Sequence, residues 1–167
     1  MMNLSDTLNV YSLKLEEREF KRIQEFMLDE LGIKLSPVKI VMVNSRLVKR
    51  LKATQMDSFA KYLDYALSEE GRRNGEFHFM VDELTTHKTE FFREPEQFVY
   101  LNQEILPKLG EESRRDFKIW SAGCSTGEEP YTMGILLSEF AQRSPGFKFS
   151  IYASDISSGV LTKAVRA

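Results

Sequence analysis

The sequence predicts an α + α/β chain: a small helical N-terminal domain followed by the opening β-α-β unit of a doubly wound, Rossmann-like sheet. Three observations carry this. Apolar residues recur at helical spacing as far as Gly110, and near residue 115 the rhythm changes to two short apolar runs, FKIWSAG and FKFSIYASD, on either side of a helical stretch. A glycine-bearing loop, GCSTG at 123–127, joins the first run to that stretch. Two short strands flanking one crossover helix pair in parallel, and such crossovers are right-handed in nearly all cases. The chain stops at SGVLTKAVRA, the start of a further helix, so the expectation is a sheet cut short at two strands.

The elements follow in order. Phe20, Ile23, Met27, Leu28 and Leu31 form one helical face, closed by Gly32. Ser36-Pro37 opens a second helix with Ile40, Val43, Leu47, Val48 and Leu51 on its buried side, and the β-rich VKIVMV predicts an irregular entry. Asp57-Ser58 starts a third, lined by Phe59, Tyr62, Leu63, Ala66 and Leu67, and GRRNG at 71–75 breaks the pattern. A fourth runs from about Phe77 to Leu84. Pro95 fits the first turn of a fifth, with Phe98, Leu101, Ile105 and Leu109 on its face and Gly110 at its end. After FKIWSAG, the stretch EEPYTMGILLSEFAQR is the crossover helix. The implied organisation is a helical domain over 1–85, a linker and helix carrying HKTEFFR over 86–116, and a partial Rossmann-like domain over 117–167.

The 167 residues are 42% hydrophobic and 29% charged, the balance of a soluble chain with one domain or two small ones. A formal net charge of -2 gives no bulk reason to expect nucleic acid, so any charge signal must be local. One cysteine, Cys124, leaves neither an internal disulfide nor a zinc cluster, and no metal site is expected. No apolar run approaches the roughly 20 residues that span a bilayer, and MMNLSDTLNV lacks a signal-peptide pattern. The expectation is a cytoplasmic protein without membrane insertion.

The loop poses a problem of charge. A dinucleotide fingerprint uses its second and third glycines to bring backbone and helix N-terminus up to a pyrophosphate. Here Gly123 and Gly127 supply tight backbone, but Ser125 and Glu128 stand where those two glycines belong. Glu128 and Glu129 in the first helical turn would repel a diphosphate by about a kcal/mol or more each, even at an effective dielectric near 20. This argues against a nicotinamide dehydrogenase. A nucleoside carrying positive charge would be welcome, and S-adenosylmethionine has a sulfonium and an ammonium. Asp155, at the carboxyl end of FKFSIYASD, stands where an acid of such a fold bonds the ribose diol. Plainer readings stand beside these. Thr126-x-x-Glu129 fits a capping box, acids there stabilise any helix, and Asp155-Ile156-Ser157 fits a turn or cap. Cys124, near a helix N-terminus, has a position that can lower a thiol pKa, although a small loop filler explains it as well.

Together, LTTHKTEFFREPEQF at 84–98, WSAGCSTGEEPY and IYASDIS resemble the chemotaxis receptor glutamate methyltransferases of the CheR type, with the FFR segment the most specific part. The resemblance runs from the early helices to the end of the chain. It implies a helical domain joined to an S-adenosylmethionine-dependent methyltransferase domain of Rossmann-like fold, a product S-adenosylhomocysteine, and glutamates on receptor signalling helices as substrate. Carried over by motif, Thr89 and Arg93 contact the methionine end of the cofactor, Glu129 with Glu128 its cationic part, and Asp155 the ribose. His87 departs from the asparagine usual there; an imidazole cannot donate and accept at once as a single amide does. Arg93 then serves as the positioning group, by holding the cofactor carboxylate or steering the substrate's, and no general base is expected.

Other residues carry structural readings. Phe91 and Phe92 read as core aromatics seating the linker, Arg93 beside Glu94 fits a surface ion pair, and His78 reads as structural. Lys39, Arg46, Lys49 and Arg50 cluster on one side of the second helix, which suits glutamate-bearing receptor helices and equally suits a solvated face. Nucleic acid is disfavoured, since the cluster lacks interleaved aromatics or a known motif. The competing reading is a non-catalytic truncated module that docks on receptor helices or a regulator, its open sheet edges free to pair with another copy.

Overall fold

The computed structural model describes residues 12–111 and 116–166. They fall into two compact units, the first ending at Thr86 and the second beginning at His87.

The first unit is all helical. α1 (Glu17–Asp29) buries Phe20, Ile23, Phe26 and Met27. Leu28, expected on this face, is instead 52% exposed. At 100° per residue it lies about 140° from Ile23, whereas Phe26 lies about 60° away and takes the core position. Gly32, in the left-handed region at φ 66°, closes the helix. The irregular entry to the next helix is a 3₁₀ turn, Pro37–Lys39, which leads into α2 (Ile40–Thr54). Val43, Leu47, Val48 and Leu51 of α2 are buried, in the period its sequence sets. α3 (Phe59–Ala66) is capped by Ser58, whose Oγ accepts the Lys61 N–H at 3.3 Å.

The stretch GRRNG does not simply break the chain. A short helix, α4 (Glu69–Arg73), runs into it with Ser68 as its cap. Gly71 is required there because a Cβ would stand 2.2 Å from the Tyr65 carbonyl oxygen. α5 (Glu76–Leu84) follows and packs on α2. α1, α2, α3 and α5 share one apolar core, in which Ile23, Met27, Leu47, Tyr62 and Met80 are fully enclosed.

The second unit opens with the HKTEFFR segment and a helix in three parts. α6 (Pro95–Tyr100) passes through a π turn (Leu101–Ile105) into α7 (Leu106–Glu111). The single helix of the sequence reading misses this change, and Pro107 explains it. Proline cannot donate to Gln103, and a widened turn just before it accommodates both the lost bond and the ring. The π turn also rotates the face, so Leu106 is fully buried while Ile105 and Leu109 pack only in part.

β1 (Asp116–Ala122) pairs in parallel with β2 (Lys148–Ser154), Ile119 opposite Ile151 and Trp120 opposite Tyr152. α8 (Glu128–Arg143) is the crossover, and α9 (Ser158–Arg166) follows β2. Phe117, Ile119, Phe149 and Ile151 alternate onto the face packed with Leu137 and Phe140. Trp120, on the opposite face, is 65% exposed and donates its ring N–H to Ser154 Oγ at 3.0 Å.

Candidate functional site

The loop between β1 and α8 turns three times through the left-handed region, at Gly123 (φ 85°), Ser125 (φ 50°) and Gly127 (φ 106°). Its start is stitched to the end of β2, because the Gly123 and Cys124 N–H groups both donate to Ser154 O, at 2.8 and 2.9 Å. A Cβ on Gly123 would meet nothing within 4 Å, so the backbone there faces open space. Gly127 is crowded: a Cβ would meet the Tyr131 ring at 3.0 Å and Ala164 Cβ at 3.2 Å.

Asp155 holds this loop. Its Oδ2 accepts the Ser125 N–H at 2.8 Å and its Oδ1 accepts the Ser157 N–H at 2.9 Å. The turn foreseen at Asp155-Ile156-Ser157 therefore exists, yet the same carboxylate also reaches back to the glycine loop. Ser125 is buried, and its hydroxyl donates to His87 O at 3.1 Å. Position 87 thus touches the loop through its backbone carbonyl, a contact indifferent to whether histidine or asparagine stands there.

The capping-box reading of Thr126 and Glu129 is overturned. The N-cap of α8 is Gly127, with no side-chain cap. The Thr126 hydroxyl donates to the Glu128 carboxylate, 2.6 Å from Oε2. Glu129 Oε1 instead accepts the buried Ser121 hydroxyl at 2.6 Å, from the carboxyl end of β1. Both acids still complement the positive end of the α8 dipole. They are, in addition, held in place by hydroxyls of the strand and loop, which a capping role does not require.

The HKTEFFR segment lies against the same helix. Phe92 donates its N–H to Thr132 Oγ1 at 3.2 Å, and Arg93 Nη1 donates to Lys88 O at 2.7 Å. Phe92 (φ 55°) and Glu94 (φ 54°) both occupy the left-handed region, which is rare for side chains of their size. The expectation that Phe91 and Phe92 are core aromatics is wrong: they are 54% and 43% exposed. The left-handed turn directs them outward, and an edge contact with Phe98, 5.9 Å between centroids, steadies the Phe92 ring. Arg93 is exposed and Thr89 half-buried. Ser121, Ser125 and Thr132 were not foreseen as part of the site; small hydroxyl residues carry no distinctive pattern in a single sequence.

Burial, and then the Asp155 charge, push the Cys124 thiol up rather than down. It is 1% exposed and fills the loop. The native chain should therefore resist iodoacetamide at neutral pH and become labelled once urea exposes the thiol. Mass spectrometry of the intact chain reads both states, and rapid native labelling would contradict this burial.

Of the four basic residues in and just before α2, the structure commits most to the first unit itself. Arg46 Nη1 donates to the carbonyls of Glu83 and Thr85, at 3.0 and 2.9 Å, closing the end of α5. Lys49 pairs with Glu83 at 3.3 Å. Arg50 binds Glu76 through two hydrogen bonds, at 2.9 and 2.7 Å. Arg46 and Arg50 are half-buried beside the apolar stripe, on the flank that meets α5, while Val41, Ser45 and Lys52 farther round the helix are exposed. Lys39 is exposed, and so is the stem of Lys49. The exposed His78 lies edge-on to Phe77.

As a set, the second unit offers three carboxylates tied to one open glycine loop: Glu128, Glu129 and Asp155. That set fits a cationic ligand with a diol and opposes a diphosphate. Comparison with known proteins agrees. Residues 87–167 match the family model described as CheR methyltransferase, SAM binding domain, and residues 18–85 match CheR methyltransferase, all-alpha domain. The chain is 35% identical over 168 residues to a chemotaxis protein methyltransferase of Borreliella burgdorferi, a match that covers 98% of this chain and 59% of that protein. Proteins of the same description from Salmonella typhimurium and Escherichia coli are 38% and 37% identical, over 91% of this chain and 50% of theirs. The chain thus spans about half the length of the curated relatives it matches.

Proposed function

From the membership of this chain in the CheR methyltransferase family, with the S-adenosylmethionine-binding domain of that family over residues 87–167, we propose that the protein carrying it methylates glutamate side chains of chemotaxis receptors. The observation that carries the reading is the trio of carboxylates around the glycine loop, two of them held by Ser121 and Thr126 and the third by loop and turn N–H groups.

Bound S-adenosylmethionine supplies an electrophilic methyl group on a positively charged sulfur. In this reading Glu128 and Glu129 balance positive charge, Asp155 accepts from the ribose hydroxyls with its remaining lone pairs, and Thr89 and Arg93 hold the methionine end. A guanidinium suits a carboxylate because its planar fork makes two parallel bonds. The chain needs no general base, since a glutamate side chain, which in water titrates near about 4.3, is already an anion at neutral pH. Its work is alignment and exclusion of water, which strengthens attraction between anion and sulfonium.

The substrate end is read from charge. Of the four basic residues singled out, Lys39 and Lys49 remain exposed, suited to receptor helices rich in glutamate. No described helix is long and apolar enough to cross a membrane, and the reading places the reaction on the cytoplasmic helices of receptors. Isothermal calorimetry of the chain should show binding of S-adenosylmethionine and S-adenosylhomocysteine and none of NAD. Binding of NAD at the loop, without either of the other two, would sink the charge argument.

A further inference from the structure

We infer that Thr132 is a positioning residue for the cofactor-binding segment 87–93, an inference that rests on the reading of Arg93 and Thr89 as cofactor contacts. Thr132 lies one turn into α8 and is 0% exposed. Its hydroxyl gives its one proton to the Glu128 carbonyl at 2.6 Å. The oxygen is then left as an acceptor alone, and the N–H of Phe92 reaches it at 3.2 Å. A threonine bonded back along its own helix thereby becomes a fixed acceptor for a second segment.

What it holds is a strained backbone. Phe92 sits at φ 55° and Glu94 at φ 54°, one on each side of Arg93. A left-handed aromatic residue persists only where its surroundings over-determine it. The acceptor on Thr132 and the edge contact with Phe98 both restrain Phe92. The conformation of Phe92 in turn sets where Arg93 begins, and Arg93 closes the turn through its N–H to Glu90 O and its guanidinium to Lys88 O. The same helix turn carries Glu128 and Glu129, so one hydroxyl ties the arginine segment to the acidic first turn.

Valine matches threonine in shape and removes the hydroxyl, both the acceptor for Phe92 and the donor to the Glu128 carbonyl, while serine keeps both. Thr132→Val and Thr132→Ser should be compared with the unaltered chain by amide hydrogen exchange and by calorimetry with S-adenosylhomocysteine. In Thr132→Val the Phe92 amide should exchange about tenfold faster or more and the affinity should fall about tenfold, the size expected of one lost hydrogen bond; Thr132→Ser should restore both. A Thr132→Val chain with unchanged Phe92 protection, or with unchanged affinity, would overturn the inference. If the unaltered chain itself binds no S-adenosylhomocysteine, the cofactor reading fails and takes this role of Thr132 with it, whereas the exchange of Phe92 still shows whether the hydroxyl holds the segment. Should Thr132→Val fail to fold, Thr132→Ala gives the same two readings.

Discussion

Arg50→Glu is expected to destabilise the helical unit by about 3–5 kcal/mol or more, enough to unfold a domain of ordinary marginal stability. Arg50 meets Glu76 with two hydrogen bonds, and the phenol of Tyr62 donates to Glu76 Oε1 at 2.9 Å. Glu76 is only 6% exposed. The hydrogen bond to Glu76 raises the Arg50 pKa, and burial raises that of Tyr62 far above the usual phenol range, so the one stays charged and the other stays a donor. The guanidinium also lies over the Phe79 ring, 4.6 Å from its centroid.

Glutamate at position 50 would remove both hydrogen bonds from Arg50 to Glu76 and the contact with the Phe79 ring, and set a second carboxylate against a buried first one. Removing one partner of such a pair leaves an uncompensated charge, which is where most of the loss arises. Tyr62→Phe removes one hydrogen bond of three and should cost about 1 kcal/mol. Lys49→Glu, at an exposed pair, should change stability by less than about 1 kcal/mol. Urea unfolding followed by circular dichroism orders the three variants. A loss below about 1 kcal/mol for Arg50→Glu would show that the pair does not hold α2 to α5.

The sequence encouraged a different expectation for the same residues, in which reversing Arg46 and Arg50 to Glu slows receptor methylation and leaves cofactor affinity alone. A single sequence reveals that these cations lie off the apolar stripe of α2. It does not reveal that α5 brings Glu76 and the Glu83 carbonyl to the same side, because that contact joins residues 26 and 37 positions apart. Helical periodicity was legible because it is local: Val43, Leu47 and Leu51 repeat within one element and report one face. The glycine loop was legible for a similar reason, since Gly123, Gly127, Glu128 and Asp155 occupy stations that the β-α-β pattern defines. Backbone conformation was not. Nothing in FFRE announces left-handed residues at Phe92 and Glu94, so the two phenylalanines read as core when they point outward. The pattern Thr126-x-x-Glu129 matched a capping box only because spacing alone cannot say that α8 takes its cap one residue after Thr126, at a glycine.

Asp155→Ala is expected to lower the affinity for S-adenosylhomocysteine by about a hundredfold or more, while Glu128→Gln lowers it about tenfold at most. The difference follows from what each carboxylate holds. Asp155 accepts the Ser125 N–H and the Ser157 N–H, one on each oxygen, and each oxygen retains a lone pair for a ribose hydroxyl. Hydrogen bonds to a charged group contribute about 1.5–3 kcal/mol each, so on the proposed ribose contact alanine would lose ligand bonds of that size. It also leaves a buried Ser125 without the acceptor that keeps it at φ 50°, and the loop can relax away from the ligand. Asparagine should rescue poorly, because its amide offers one oxygen to the two N–H groups and turns a donor toward the other. Glutamine at position 128 keeps an oxygen for the Thr126 hydroxyl and loses only charge, in a turn where Glu129 still supplies some. Calorimetry gives the affinities, and a thermal melt run alongside separates a weakened site from a chain that has lost its fold. Asp155→Ala binding as tightly as the unaltered chain would remove Asp155 from the site and leave its two hydrogen bonds as the closure of a turn.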